Sequence, residues 1–166
     1  MADIRPAEPG DVSGIRRVAT AGWNAAYGEF MPADTIETVL DEWYSEPKVR
    51  RAVEDSGSSY LVAIDDGIVV GFASAGPAQG GDAETAQLYV IYVDPARWGD
   101  GIGTDLLAAV SERLSNRGFQ RLLVQVLAEN EVGRSFYEGH GFDQVAQGVT
   151  ELGGDSYDEV RYEDPL

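Results

Sequence analysis

The 166-residue chain predicts an α/β (α+β) fold, a mixed sheet of about seven strands with helices on both faces. Three observations carry this. Apolar residues recur at helical spacing in four segments, and β-branched runs bounded by turn residues occur in seven others. The two kinds of segment follow one another as β-α-α-β-β-β-α-β-α-β-β, which calls for a sheet covered on both faces.

Ile4-Arg5-Pro6 begins the chain as a short strand, and Pro6 keeps it at an edge. Asp11 or Ser13 caps a helix reaching about Tyr27, with Val12, Ile15, Val18 and Ala19 on one face. A second helical region spans about Asp34 to Glu54, striped by Ile36, Val39, Leu40 and Trp43 and divided at Pro47. Ser59–Ile64 and Ile68–Ala75 are strands joined by Asp65-Asp66-Gly67, a strong hairpin signal. A loop follows from Gly76 to Gly81. Glu84–Val93 is a longer strand ended by Asp94-Pro95, and Thr104–Arg117 an amphipathic helix stopped by Gly118. Arg121–Leu127 is a buried strand and Asn130–Gly139 a short helix. Phe142–Val149 and Tyr157–Tyr162 close the chain as strands. No linker or composition break divides it, so residues 1–166 read as one domain.

Composition removes several functions. There is no cysteine, hence no disulfide framework, thiol nucleophile or thiolate metal site. A single histidine, His140, argues against multi-histidine metal centres, and no metal is expected. No apolar run approaches the ~18 residues of a membrane span, and MADIRPAEPGD lacks the features of a signal peptide, so a cytoplasmic protein is expected. Twelve basic against 29 acidic residues give 12 − 29 = −17, which repels nucleic-acid phosphate and anionic membrane. Acid spread along the whole chain beside a single lysine, Lys48, points to a salt-loving source, where screening over about 3 Å at 1 M salt removes the self-repulsion, the other reading being a mesophilic protein with a cationic partner.

The informative segment is Val93-Asp94-Pro95-Ala96-Arg97-Trp98-Gly99-Asp100-Gly101-Ile102-Gly103-Thr104, a strand end, a glycine-rich turn and a helix start. The glycines let backbone amides approach a ligand, and the helix start adds free N–H groups and the positive end of a dipole. An anion site results, most naturally for phosphate or pyrophosphate, although glycines also serve tight turns and packing. No Gly-Lys-Ser/Thr follows, so this is not a P-loop. Gly99-Asp100-Gly101-Ile102-Gly103 is also neither the spacing nor the early position of a dinucleotide fold.

The segment resembles the phosphate loop of the GNAT superfamily of acyl-CoA-dependent N-acetyltransferases, Gln/Arg-x-x-Gly-x-Gly/Ala after a strand, departing from it only at Trp98. A later signature of that family, an Asn followed by Phe-Tyr and Gly-Phe, stands here as Asn130, Phe136-Tyr137 and Gly141-Phe142. The resemblance implies a mostly antiparallel sheet and transfer of acetyl from acetyl-CoA to a primary amine in a ternary complex, with no cysteine here to carry an acyl-enzyme. Ile91, Tyr92 and Val93 would offer backbone groups to the pantetheine arm. Trp98, Gly99, Asp100, Gly101, Ile102, Gly103 and Thr104 would surround the pyrophosphate, with Asp100 pointing outward. Asn130 would hydrogen-bond the cosubstrate. Tyr137 would be the general acid, a phenol of pKa about 10 donating to a thiolate of about 8.5.

The general base is less defined. Some family members carry a glutamate where Gln125 stands, and glutamine accepts no proton. Glu84 is the candidate carboxylate on the strand before the loop, with a water chain or an already neutral amine as the other routes. His140 reads as a helix C-terminal residue rather than a base. Trp23, Tyr27 and Trp43, with Phe30 and Tyr44, would wall the amine acceptor or serve as packing between the first helices. The acceptor could be a small molecule or a protein N-terminus. A non-catalytic acyl-CoA-binding module is the alternative function, and a homodimer through the last two strands is compatible with the pattern.

Overall fold

A computed structural model describes residues 2–55, 57–78, 80 and 82–166. Along it run β1 (Asp3–Pro6), a 3₁₀ turn (Pro9–Asp11), α1 (Val12–Tyr27), α2 (Ala33–Trp43), α3 (Glu46–Glu54), β2 (Ser59–Asp65), β3 (Ile68–Pro77) and β4 (Thr85–Val93). A second 3₁₀ turn (Pro95–Arg97) leads to α4 (Ile102–Asn116), β5 (Arg121–Leu127), α5 (Glu131–Gly139), β6 (Asp143–Leu152) and β7 (Asp155–Pro165). The strands form one mixed sheet, β1-β2-β3-β4-β5-β7-β6. Every neighbouring pair is antiparallel except β4 and β5, which run parallel with α4 as their crossover. The expected mixed sheet covered on both faces is therefore observed.

Two cores follow from the alternation of side chains along the strands. Ile15, Val18, Trp23, Ile36 and Val39 from α1 and α2 pack with Val62, Phe72 and Leu127 on one face. Leu106, Val110 and Leu114 of α4 pack with Leu61, Leu88, Leu122 and Val124 on the other, joined by Tyr137 of α5. No helix among the described residues is long and apolar enough to cross a membrane.

Where local chemistry was strong, the elements fall where the sequence puts them. The β2–β3 hairpin turns on Asp66 (φ 54°) and Gly67 (φ 76°), both left-handed, as a two-residue turn matched to strand twist requires. Asp11 differs from its expected role. It stands before α1, but its carboxylate accepts from Glu8 N–H (2.8 Å) and pairs with Arg5 (2.7 Å) instead of capping the helix. The second helical region breaks at Tyr44–Ser45, and Pro47 sits in the first turn of α3, where its missing N–H costs nothing. The last two strands extend beyond 142–149 and 157–162. Gly153 and Gly154, both at positive φ, form a tight turn, and β6 is exposed at all but two positions, so burial left no alternation to read. Of the expected Gly76–Gly81 loop, Gly76 and Pro77 continue β3, while Gln79 and Gly81 lie outside the described residues.

Candidate active site

β4 and β5 pair only over Thr85–Leu88 and Arg121–Val124. Beyond that, β4 continues to Val93 against β3 and β5 continues to Leu127 against β7, so the two parallel strands part. A register shift at Ser74/Ala75 leaves Tyr89 as an extra residue on β4, immediately after the last paired one, and such a bulge bends its strand. The parting opens a cleft of about 870 Å³. Its lining comes from the ends of β4 and β5, the glycine loop, α5, α1 and the β6–β7 ribbon.

The backbone of the β4 end has a definite polarity. Asp94 N–H donates to Val70 O (2.9 Å), and Trp98 Nε1–H donates to Val93 O (3.0 Å). By the two-residue alternation of a strand, Tyr92 directs its backbone groups at β3, while Ile91 and Val93 direct theirs into the parting. The carboxylate of Asp94 accepts from Ala96 N–H (3.0 Å) and so starts the turn before Pro95.

The glycines beyond have separate reasons. Gly99 (φ 88°) and Gly101 (φ 82°) are left-handed, and Gly101 stands at the N-cap of α4. Gly103 has ordinary φ, but a Cβ there would come within 3.0 Å of the Phe136 ring, so its bareness lets α4 approach α5. The helical ladder starts with Asp105 N–H on Gly101 O (3.0 Å). Among the described residues, the N–H groups of Gly101, Ile102, Gly103 and Thr104 have no protein acceptor. Four unpaired donors at one helix start form a nest for an anion. Asp100 is exposed and is not part of the lining. Arg97, one residue before the loop motif, lines the cleft and pairs with Asp65, whose carboxyl it holds below the usual range.

On α5, Tyr137 is buried in the lining, packed on Phe136, Phe142 and Tyr162 at centroid distances of 5.4, 5.5 and 6.1 Å. Burial, with Tyr27 nearby, pushes its phenol above the ordinary range, so it stays protonated and donates. Asn130 is the N-cap of α5. Its Oδ1 accepts from Gly133 N–H (2.9 Å) and its Nδ2 donates to Tyr27 Oη (3.0 Å), tying the helix that carries Tyr137 to α1.

The opposite wall is aromatic. Trp23, Tyr27, Trp43 and Tyr44 line the cleft with Tyr92, and Trp43 stands edge-on to Trp23 at 5.8 Å with half its surface exposed. Phe30 lies behind, packed on Tyr27. Burial raises the phenols of Tyr27, Tyr44 and Tyr92. Glu84 is not brought into the cleft: it is exposed, at the end of β4 opposite the glycine loop. Gln125 is in the lining, and so is one carboxylate that sequence reasoning passed over, Glu159. Glu159 pairs with Leu127 across β5–β7 and with Gly148 across β6–β7, and cross-strand partners share a face, so it belongs to the aromatic side. Among the described residues it is the only acid in the lining and makes no ion pair.

Residues 22–142 match the model of the acetyltransferase (GNAT) family. The chain belongs to that family. The GNAT relative YuaI of Bacillus subtilis, an uncharacterized N-acetyltransferase, is 30% identical over 162 residues, 96% of this chain and 91% of its own. A spermidine N(1)-acetyltransferase of Thermoplasma acidophilum is 27% identical, over 84% of this chain and 87% of its own. The crystal structure of the PaiA N-acetyltransferase of T. acidophilum in complex with coenzyme A superposes with a TM-score of 0.81 at 26% identity, covering 96% of this chain and 98% of that one. The chain is thus an acyltransferase of the GNAT type, its own sheet opened between β4 and β5.

Proposed function

We propose that this GNAT enzyme moves the acetyl group of acetyl-CoA directly to a primary amine, with both substrates in the cleft at once. The observation that carries the proposal is the nest of unpaired N–H groups from Gly101 to Thr104 at one end of a cleft that holds a buried phenol, Tyr137, on its wall. The residues present fit coenzyme A. The amides of the loop hold the diphosphate, Gly99 and Gly101 keep Cβ atoms out of the way, and Trp98 fixes the turn through Val93 O. Ile91 and Val93 face the pantetheine arm with their backbones. Tyr92 and Asn130 serve the site through their side chains, Tyr92 as wall and Asn130 as the cap that sets α5.

In the reaction the amine nitrogen forms a bond to the acetyl carbon, the carbon–sulfur bond breaks, and the thiolate takes a proton from Tyr137. Burial weakens the phenol as an acid, but the same apolar surroundings raise the thiolate's proton affinity, which keeps the transfer matched. The amine's own proton leaves through cleft water, which returns one to Tyr137, since Glu84 lies outside the cleft and the amide of Gln125, though in the lining, accepts no proton.

The acceptor end is aromatic and carries Glu159, while Arg97, the one cation of the lining among the described residues, belongs to the loop. An acceptor bearing a second, charged nitrogen fits that wall, because the attacking nitrogen must be neutral whereas a carboxylate and indole faces favour a cation. The T. acidophilum relative named for spermidine is consistent with this choice. The even acidity and single lysine support a cytoplasmic enzyme working in concentrated salt.

The test is release of CoA thiol from acetyl-CoA in molar KCl, across monoamines, diamines and N-terminal peptides. Tyr137→Phe should lower kcat roughly 10²- to 10⁴-fold while acetyl-CoA affinity stays within about twofold. Tight acetyl-CoA binding with no amine turned over would make the chain a binding module instead.

A further inference from the structure

His140, the only histidine, ends α5 against the start of α4. Its Nδ1 lies 2.7 Å from Phe136 O, and a carbonyl can only accept, so Nδ1 carries a hydrogen. Its Nε2 lies 3.0 Å from Thr104 Oγ1. Thr104 lines the cleft, contributes one of the four unpaired N–H groups and stands in the first turn of α4, whereas His140 stands behind it outside the lining. A neutral imidazole with its hydrogen on Nδ1 must accept at Nε2, which commits the Thr104 hydroxyl hydrogen to the ring. An anion that comes within reach of that oxygen then meets lone pairs. Protonating Nε2 reverses the bond: the imidazolium donates to Thr104 Oγ1, and the hydroxyl hydrogen is released toward the anion.

We infer that His140 is a positioning residue for the diphosphate, taking up a proton as the anion binds and thereby turning the Thr104 hydroxyl into a donor. The inference rests on the reading of the loop as the coenzyme A diphosphate site. Among the described residues no carboxylate oxygen lies within 4 Å of the ring nitrogens. α4 carries Asp105, Glu112 and Arg113, α5 carries Glu131, Arg134 and Glu138, Asp143 opens β6, Asp164 of β7 stands beside Gly141, and Asp100 and Arg97 lie in the loop. The ligand is therefore the charge that changes at this corner on binding.

Calorimetric titration at pH 7 in two buffers of different ionisation enthalpy counts protons taken up. Dephospho-CoA is the probe, because its diphosphate does not titrate near neutrality, and pantetheine, which lacks the diphosphate, is the control. Uptake of the order of half a proton is expected with dephospho-CoA and none with pantetheine. Thr104→Val should abolish the uptake while His140 remains. His140→Gln should also abolish it but keep most of the affinity, since an amide N–H donates to Thr104 without a proton from solvent. His140→Ala should weaken dephospho-CoA about 3- to 10-fold. The ring's own NMR signal, unique in this chain, reports protonation without any turnover. Dephospho-CoA binding with no uptake, or with uptake unchanged in Thr104→Val, overturns the inference. Equal affinity for dephospho-CoA and pantetheine overturns instead the diphosphate reading beneath it.

Discussion

On the β4–α4 side of the cleft the ligand-facing groups are backbone amides, fixed by two left-handed glycines within six consecutive residues, Gly99–Thr104. On the opposite side they are side chains drawn from α1, α2, β4, β6 and β7, with Trp23 and Glu159 brought together across most of the chain. A backbone site constrains which residues must be bare. A side-chain site constrains which must be present, and can change its ligand one residue at a time. On the function proposed above, the half of the chemistry set by backbone belongs to the loop, and the half that selects an acceptor to the aromatic wall.

Alkaline pH separates the two sides most strongly. Tyr27, Tyr44, Tyr92 and Tyr137 have phenols raised above their unfolded value of about 10 by burial, and the glycine loop has none. For a raised group, stability is fully present below the unfolded pKa and is lost as pH climbs toward the folded one. Each phenol held protonated costs about 1.4 kcal/mol per pH unit above 10. The melting temperature should be flat from pH 8 to 9.5 and fall by several degrees per unit above 10, with a shallower fall in Tyr92→Phe. A flat profile to pH 12 would mean that water reaches these hydroxyls.

Next in size is a contrast inside the loop. Gly101→Ala forces a side chain into a left-handed position at about 1–2 kcal/mol, which should weaken acetyl-CoA roughly 5- to 30-fold. Gly103→Ala meets only the edge of the Phe136 ring, so titration should show about a threefold loss or less. Equal losses would show that the nest depends on α4–α5 packing rather than on loop conformation. On the other wall, Glu159→Gln should raise KM for a diamine about 3- to 10-fold while leaving KM for a monoamine and acetyl-CoA affinity unchanged. A uniform change across amines would assign Glu159 to the reacting nitrogen.

The same division explains what could be read from the sequence. Gly99, Gly101 and Gly103, the Asp65-Asp66-Gly67 turn and Gly118 declare local backbone needs, and the strands and helices beside them fall where expected, although α4 begins two residues earlier, at Ile102. Glu159 was not legible. It is one acid among 29, and only the insertion of β7 between β5 and β6 carries it to the cleft. Asn130 was legible as a motif residue, yet its bond to Tyr27 depends on α1 and α5 meeting, with Asn130 103 positions after Tyr27. Both strands of the β6–β7 ribbon were legible, but not their reach to Leu152 and back to Asp155, because β6 is too exposed to impose alternation.

The smallest expected effect concerns Asp100. It is exposed within the loop, its N–H donates to Arg97 O (3.3 Å), and its carboxylate is not in the cleft lining. Its influence on a bound diphosphate is therefore through space and through solvent, where two like charges several ångströms apart repel by about 1 kcal/mol or less. Neutralising it in Asp100→Asn should tighten acetyl-CoA about two- to threefold at 50 mM salt. At 1 M KCl, where the Debye length has shrunk to about 3 Å, the difference should vanish. Unchanged affinity at low salt would mean that Arg97 already cancels the charge, and then Arg97→Gln should expose the Asp100 effect. A gain that survives 1 M KCl would place the carboxylate against the ligand, and the loop would have a side-chain contact after all.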